Sequence, residues 1–218
     1  MAMQTDSDPA QRRKSRNDAR RAEIVDISAG LFAKRGYAET GIAEIGEAVG
    51  LARGALYYYI GSKESLLAEI HDRVLIPLLE ETHRIVALDE SPEARLRRVS
   101  FVLLEQIIER RDHVWVFLHE FHALTGENAE QFRKRRRQYE RRVEGVFEAG
   151  TESGHFRPLD PRLTARAWLG MHNYTYLWLK ANGRLSAKQI AASFADIFVW
   201  GTANPSAMMP RVIADTGG

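Results

Sequence analysis

The sequence predicts an all-α protein of about nine helices. Apolar residues recur at spacings of three and four, as at Ile24, Ile27, Leu31 and Phe32, and segments with this period continue almost to Trp200. Glycine or proline separates successive segments, and several segments begin with the side-chain chemistry of a helix N-cap. The segments lengthen after about residue 62, which indicates two functional parts.

The helical segments are divided, in chain order, at a series of glycines and prolines: Gly36, Gly41, Gly50, Gly61, Pro92, Gly126, Gly150, Gly154, Pro158, Pro161 and Gly183. Ser91, Asp160 and Ser186 stand directly before three of the segments. Each supplies a side-chain oxygen that can accept a backbone N–H left unpaired at a helix start, so we expect helices to begin there. Pro77 lies inside the long segment 62–88 and is expected to bend or divide it, because proline removes an internal hydrogen bond.

The composition excludes several classes of protein. With 218 residues, 44% of them apolar, the chain can bury a sizeable core. Its 31 basic and 29 acidic residues give a net charge of +2, so attraction to nucleic acid must come from local patches. The absence of cysteine excludes disulfides and thiolate chemistry. The polar N-terminus lacks a secretory signal and no apolar run approaches the ~20 residues that span a bilayer, so we expect a cytoplasmic protein without a membrane partner.

The segment 43–60, AEIGEAVGLARGALYYYI, has the spacing of a helix-turn-helix. Gly46 permits two helices to approach closely, and Gly50 tolerates the positive φ that a tight turn needs. The second helix, about residues 53–59, would lie in a DNA major groove. Its outward side chains would be those of Arg53, Gly54, Ala55, Tyr57 and Tyr58. The spacing alone also fits two ordinary packed helices of an all-α protein.

A longer stretch, residues 18–70, resembles the DNA-binding domain of TetR-family transcriptional repressors. The matching parts are LFAKRGY at the end of the first helix, GLARGALYYYI over the second helix of the motif and SKESLL at the start of the next helix. The resemblance implies a three-helix DNA-binding domain, an all-α domain that binds a ligand and forms a homodimer, and repression that a small molecule relieves. It implies no enzyme activity and no cofactor.

The resemblance also implies which residues contact double-stranded operator DNA. The predicted contacts are Thr40, Arg53, Gly54, Ala55, Tyr57, Tyr58 and Lys63. Tyr57 and Tyr58 match positions that touch phosphates or bases, and Lys63 matches a lysine that contacts the DNA backbone. Thr40 corresponds to a hydroxyl that contacts the backbone, although Gly41 replaces the usual hydroxyl cap of the following helix.

Two alanines depart from the family pattern in this region. Ala43 and Ala55 stand where the family often has an arginine and a threonine. Direct polar recognition of bases is therefore expected to be sparse and to depend more on Arg53, Gly54 and Tyr58.

Four regions are expected along the chain: a disordered basic arm over 1–17, a helix-turn-helix domain over 18–62, a ligand-binding and dimerisation domain over 63–202, and a disordered tail over 203–218. Residues 11–21 hold six basic side chains against one acid. Such a segment can bind phosphates through counterion release. A solubilising tail is the alternative.

The second domain is rich in aromatic residues, most of which we expect in the core. A ligand chamber needs a few polar groups, so aromatic residues with polar tips and arginines suited to phosphates are the candidates. The nine ligand-binding candidates are Trp115, His119, His122, Arg135, Arg136, Trp168, His172, Asn173 and Tyr176. Seven cations against one acid over 133–142 also fit a solvated helix face. Segment 170–190 is similar to TetR-type regulators that respond to acyl-CoA thioesters, which makes an acyl-CoA the expected effector.

Three other functions stay open. The chain could be a constitutive DNA-binding dimer or a ligand-aided activator, both of which keep the DNA-binding domain. The third is a metal-dependent enzyme, because His119, Glu120 and His122 lie close together, with His113 nearby. The HExxH pattern of zinc proteases needs histidines four residues apart, and this spacing is three. We therefore expect no metal site.

Overall fold

The computed structural model describes residues 9–202 and places nine α-helices in that range. Their bounds are α1 Pro9–Arg35, α2 Ile42–Val49, α3 Arg53–Ile60, α4 Lys63–Val86, α5 Pro92–Glu109, α6 Arg111–His119, α7 Gly126–Glu152, α8 Pro161–Asn173 and α9 Ala187–Thr202. Short 3₁₀ helices, Phe121–Ala123 and Tyr174–Leu177, follow α6 and α8. The expected all-α fold is confirmed. No helix within the described range is long and apolar enough to cross a membrane.

The three expected helix starts are confirmed. Ser91 Oγ accepts the N–H at the N3 position of α5 at 3.3 Å, and Asp160 Oδ1 accepts the corresponding N–H of α8 at 2.7 Å. Before α9, Ser186 Oγ accepts the N–H of Gln189 at 3.3 Å, while Gln189 Oε1 accepts the N–H of Ser186 at 2.9 Å. This reciprocal pair satisfies two backbone donors that the helix itself leaves unpaired.

Two helices differ from the expectation. Helix α1 begins at Pro9, so residues 9–17 are helical rather than part of a disordered arm. Proline suits the first helical position, and the alanine, glutamine, arginine and lysine residues that follow let the helix extend back from its buried part at Ile24. Helix α4 continues through Pro77 and is not divided there. Residues 1–8 and the tail expected over 203–218 lie outside the described residues.

The chain forms two compact units. Within the described range, the first contains residues 9–74 together with Asp112–Phe132, that is α1, α2, α3, the N-terminal half of α4, α6 without its first residue, and the beginning of α7. The second contains Leu75–Arg111 and residues 133–202, with α5 packed against α8 and α9. Each unit has its own buried core, with Phe32, Ile45 and Leu56 in the first and Leu104 and Trp168 in the second. The boundary expected between residues 62 and 63 stays a prediction.

Candidate functional site

Helices α2 and α3 form the tight pair that the glycine spacing predicts. Gly50 ends α2 in the left-handed region with a φ of +67°. The N–H of Leu51 then donates to the carbonyl of Gly46 at 2.8 Å, and an ideal Cβ on Gly46 would lie 2.8 Å from the carbonyl oxygen of Leu51. Ile45 and Leu56 are fully buried beneath this turn. The sequence therefore positions α3 through two small residues and an apolar seam.

Helix α3 presents one exposed face. Arg53, Gly54 and Ala55 are exposed at its N-terminal end, and the side chain of Tyr58 is 69% exposed one turn later. Tyr57 is half-buried, and the Arg53 guanidinium lies 5.7 Å from the centre of its ring. A cation and a large aromatic group on one short, otherwise small-residue face suit the entry of a helix into a DNA groove.

The N-terminus of α4 adds a second cationic group beside this face. Ser62 Oγ accepts the N–H of Ser65 at 2.9 Å, which caps the helix. Lys63 Nζ lies 4.3 Å from the centre of the Tyr37 ring and donates to the carbonyl of Ala38 at 3.4 Å. Partial burial lowers the pKa of Lys63, and nearby glutamates oppose that shift. A lysine at a helix N-terminus, where the dipole also favours anions, is suited to a phosphate.

Thr40 is buried, whereas the expected contact with DNA requires an exposed hydroxyl. Its side chain is fully buried, and its hydroxyl donates to the carbonyl of Gly36 at 2.8 Å. A buried hydroxyl that is already paired cannot contact DNA without a local rearrangement. In this structure Thr40 stabilises the turn between α1 and α2, and its contact with DNA stays a prediction.

The basic part of α1 lies beside the helix-turn-helix. Asn17 Nδ2 donates to the Tyr58 hydroxyl at 3.4 Å, and the Arg20 guanidinium donates to the carbonyl of Val49. Arg13 and Lys14, farther toward the N-terminus, are exposed. The sequence indicates the charge of this segment but not these contacts, because a helical rather than disordered segment is what brings Asn17 to Tyr58.

Two glutamates connect the DNA-binding helices to the segment after α5. Glu120 Oε1 accepts the N–H of Tyr37 at 3.1 Å. Glu64 Oε1 accepts both the N–H and the hydroxyl of Thr125, at 3.0 and 2.9 Å, and the Asn128 amide at 3.3 Å. These bonds, that from the Thr125 backbone foremost, lower the pKa of Glu64. The segment 112–132 is thus hydrogen-bonded to the two turns that present Tyr37 and Lys63.

Three of the nine ligand candidates belong to the first unit. The rings of Trp115 and His119 stack with centres 4.5 Å apart, and His119 Nδ1 donates to the Trp115 carbonyl at 2.8 Å. His119 and His122 are exposed. Among the described residues, no group of three or more histidines, aspartates and glutamates is placed to hold a metal ion.

The other six candidates belong to the second unit. Trp168 and His172 are fully buried with ring centres 3.8 Å apart. His172 Nδ1 donates to the Trp168 carbonyl at 2.8 Å, so Nε2 accepts the Ser100 hydroxyl at 2.6 Å. Both ring nitrogens are therefore paired within the protein, which makes His172 a core residue rather than a free ligand-orienting group. Arg136 pairs with Glu140 at 3.1 Å. Asn173, Tyr176 and Arg135 are half-buried.

A cavity of about 440 Å³ lies between α4 and α5. Pro77, Glu81 and Ile85 of α4 and six residues of α5 line it, and none of the nine candidates does. Its lining includes three glutamates and one arginine, Arg98, whose guanidinium makes two bonds to Glu90 at 2.6 and 2.7 Å. The excess of negative charge makes this cavity unsuitable for phosphate groups.

Comparison with known proteins agrees with this architecture. Residues 24–70 match the model of the bacterial regulatory proteins of the tetR family, and residues 89–202 match that of the tetracyclin repressor-like C-terminal domain. The chain is 29% identical over 198 residues to the HTH-type transcriptional repressor KstR2 of Rhodococcus jostii, covering 88% of this chain and 95% of KstR2.

Two solved structures have the same fold. The ketosteroid transcriptional regulator KstR2 of Mycobacterium tuberculosis aligns with a TM-score of 0.79 at 27% identity, over 85% of this chain and 95% of that one. AibR in complex with isovaleryl coenzyme A and operator DNA aligns with a TM-score of 0.73 at 30% identity, over 82% of this chain and 97% of that one. With both family models matched in order, the chain belongs to the TetR family of bacterial transcriptional regulators.

Proposed function

We propose that this protein is a homodimeric transcriptional repressor that leaves its operator when an acyl-CoA thioester binds. DNA binding is supported mainly by the exposed face of α3, which includes Arg53 and Tyr58. The capped N-terminus of α4, with Lys63, follows it in the chain. Relatives support the effector, since KstR2 is named a repressor and AibR is described with isovaleryl coenzyme A and operator DNA.

The charge distribution of the second unit favours one location for the coenzyme A phosphates. The acidic cavity between α4 and α5 disfavours them. Helix α7 instead carries Arg135 and Arg136, both half-buried, and an outward row of Arg133, Lys134 and Arg137. Guanidinium groups pair with phosphates through two parallel hydrogen bonds. We therefore assign the phosphates to α7, which requires Arg136 to exchange its Glu140 partner.

Helix α4 provides the route by which an effector changes DNA binding. Its N-terminus carries Lys63, whereas its C-terminal half belongs to the second unit. A ligand that binds one position of α4 more tightly than the other shifts the protein toward the position that it prefers. The size of the shift, and so of the change in DNA binding, is set by the difference between the two affinities. The same coupling requires operator DNA to weaken effector binding by an equal factor.

Lys63→Gln is expected to weaken operator binding and to reduce its salt dependence. Each phosphate contact contributes about 0.9 to the slope of log K against log salt, so loss of one contact in each head of a dimer lowers that slope by about 2. The measurement is fluorescence anisotropy of labelled operator at several salt concentrations. Lys180→Gln, which removes the same charge from an exposed position in the second unit, is the control. An unchanged slope for Lys63→Gln removes Lys63 from the DNA interface.

The effector is tested by thermal melting of the purified protein with free fatty acids, acyl-CoAs and sterol-derived CoA thioesters. A ligand at 100 times its dissociation constant stabilises the folded state by about 2.7 kcal/mol, so a clear rise in melting temperature is expected for thioesters alone. Replacement of Arg135 and Arg136 by glutamine should reduce the rise in melting temperature that a thioester causes. It should change the melting temperature measured with the free acid less. Equal changes for the two ligands would remove the phosphate role of α7.

The main rival is a dimer that binds DNA constitutively. It predicts that a saturating thioester leaves operator affinity unchanged, whereas the proposed repressor loses affinity. Anisotropy with and without the thioester separates the two.

A further inference from the structure

The first turns of α1 have an excess of positive charge. Residues 11–21 hold six basic side chains against one acid, and the first turn of the helix has no acid. Arg13 and Lys14 are exposed, and neither is paired with an acid within the described residues. The positive end of the helix dipole lies at the same end of α1, so the dipole adds to the attraction for anions. This end of the helix therefore favours a polyanionic partner.

The middle of α1 is fixed to two other helices of the same unit. The Arg20 guanidinium donates to the carbonyl of Val49 at the end of α2, and Arg21 pairs with Glu69 of α4 at 2.7 Å. Because backbone hydrogen bonds join each turn of a helix to the next, these contacts also set the position of the earlier turns of α1. Cations in those turns therefore lose less conformational entropy on binding than cations of a disordered arm would lose.

Arg13 and Lys14 lie on the side of α1 that meets α3. Asn17 Nδ2 donates to the Tyr58 hydroxyl at 3.4 Å, and this contact marks that side of the helix. At about 100° per residue, Arg13 and Lys14 lie within about 60° of Asn17 around the helix axis. Arg12 points about 140° away from Asn17 by the same measure. The two cations therefore extend the exposed surface of α3 by about one turn of α1.

The phosphates of duplex DNA are the partner that fits this surface. If α3 lies in a major groove, the strands that border the groove run beside it, and their phosphates hold all of the negative charge of the DNA. We propose that Arg13 and Lys14 bind phosphates of a strand that borders the groove entered by α3. This inference rests on the proposed function, because it requires α3 to bind DNA, and it adds α1 as a second helix that contacts the operator.

The first test measures the salt dependence of DNA binding for Arg13→Gln and for the double variant Arg13→Gln with Lys14→Gln. The probe is a labelled duplex that the wild type selects from a pool of random duplexes, and the readout is fluorescence anisotropy. One lost contact in each DNA-binding domain of a dimer lowers the slope of log K against log salt by about 2, and two lost contacts lower it by about 4. Glutamine is a good helix former, and circular dichroism checks that α1 stays helical.

Arg12→Gln is the matched control, because it removes the same charge from the preceding, exposed position on another side of α1. It should keep the wild-type slope. Equal losses for Arg12→Gln and Arg13→Gln would show a general attraction by solvated charge and would overturn the proposal. A wild-type slope for the double variant would overturn it as well, while leaving α3 and the repressor in place. Failure of the wild type to select any duplex would overturn DNA binding itself.

Ethylation interference on the selected duplex locates the contacts. Ethylation removes the charge of one phosphate, so it weakens binding wherever the protein contacts that phosphate. We expect some phosphates beside each half-site to interfere with the wild type and not with the double variant, while the remaining phosphates interfere with both proteins. Identical patterns for the two proteins would show that Arg13 and Lys14 bind no phosphate and would overturn the proposal.

Discussion

Between pH 6.5 and pH 4 the protein is expected to lose about 6 kcal/mol of its free energy of unfolding, because two buried histidines take up protons mainly when the chain unfolds. Burial lowers the pKa of His71 and of His172 from 6.5 to about 4 in each case. Each shift corresponds to about 3 kcal/mol. Since whole domains have only about 5–15 kcal/mol of stability, this loss is a large part of the total.

The direction of the effect follows from proton binding. In this pH window the unfolded state binds more protons than the folded state, so stability rises with pH. The contribution is complete above pH 6.5 and falls as the pH approaches 4. The surroundings of both rings explain the shifts. His71 Nδ1 donates to the Leu67 carbonyl at 2.9 Å while its ring meets Phe117 and Phe132, and His172 is held by Ser100 and Trp168.

Urea unfolding at pH values from 7 to 5 measures this prediction, because the carboxylates titrate mainly below that range. The variants His71→Phe and His172→Gln should each remove about half of the pH dependence, whatever they do to stability at pH 7. His155→Gln, which removes an exposed histidine, is the control and should keep the wild-type slope. If either core variant also keeps it, that histidine is not responsible for the acid sensitivity.

The parts of the fold that the sequence predicts well depend on neighbours along the chain. The turn at Gly50 and the caps at Ser91, Asp160 and Ser186 each involve atoms within about five residues, so residue type and spacing are sufficient evidence. The exposed face of α3 follows from the same local pattern once the turn is known.

Contacts between distant segments could not be predicted in this way. Glu120 and Tyr37 are 83 residues apart, and Glu64 and Thr125 are 61 apart, so no spacing rule connects them. For Thr40, a hydroxyl next to a helix start fits both a DNA contact and a buried turn as long as its burial is unknown. His172 was selected for a polar tip that the structure pairs with Ser100 of another helix. Burial and long-range pairing decide such cases, and both are properties of the tertiary structure.

The second prediction of large effect concerns an exposed apolar stripe on α8 and α9. Leu163 is 67% exposed at the start of α8, and Ile197 and Trp200 are 62% and 63% exposed on α9. Further exposed residues follow Leu163 at successive spacings of four, three, four and three residues, and the last of them is Leu177. Such spacing is typical of helices that pack against one another through a continuous apolar seam. We therefore propose that a second copy of this chain covers the stripe in a four-helix interface.

The double variant Leu163→Glu with Ile197→Glu is expected to be monomeric and to bind operator roughly 10²- to 10⁴-fold more weakly than the wild type. Two heads joined in a dimer bind two half-sites together, and a monomer loses that gain in effective concentration. Because both side chains are exposed in the single chain, their replacement by glutamate should leave the fold intact. Sedimentation velocity measures the assembly state, circular dichroism the fold, and anisotropy the affinity for operator.

The matched control is Ala192→Glu. Ala192 is also exposed on α9, but it lies five residues before Ile197 and so points about 140° away from it around the helix. This variant adds a charge to the same helix without placing it in the stripe, and it should remain dimeric with wild-type affinity for operator. A dimeric double variant would place the interface elsewhere. A monomeric double variant with undiminished affinity would instead show that one head binds operator without a partner, which would remove the dimer from the mechanism of repression.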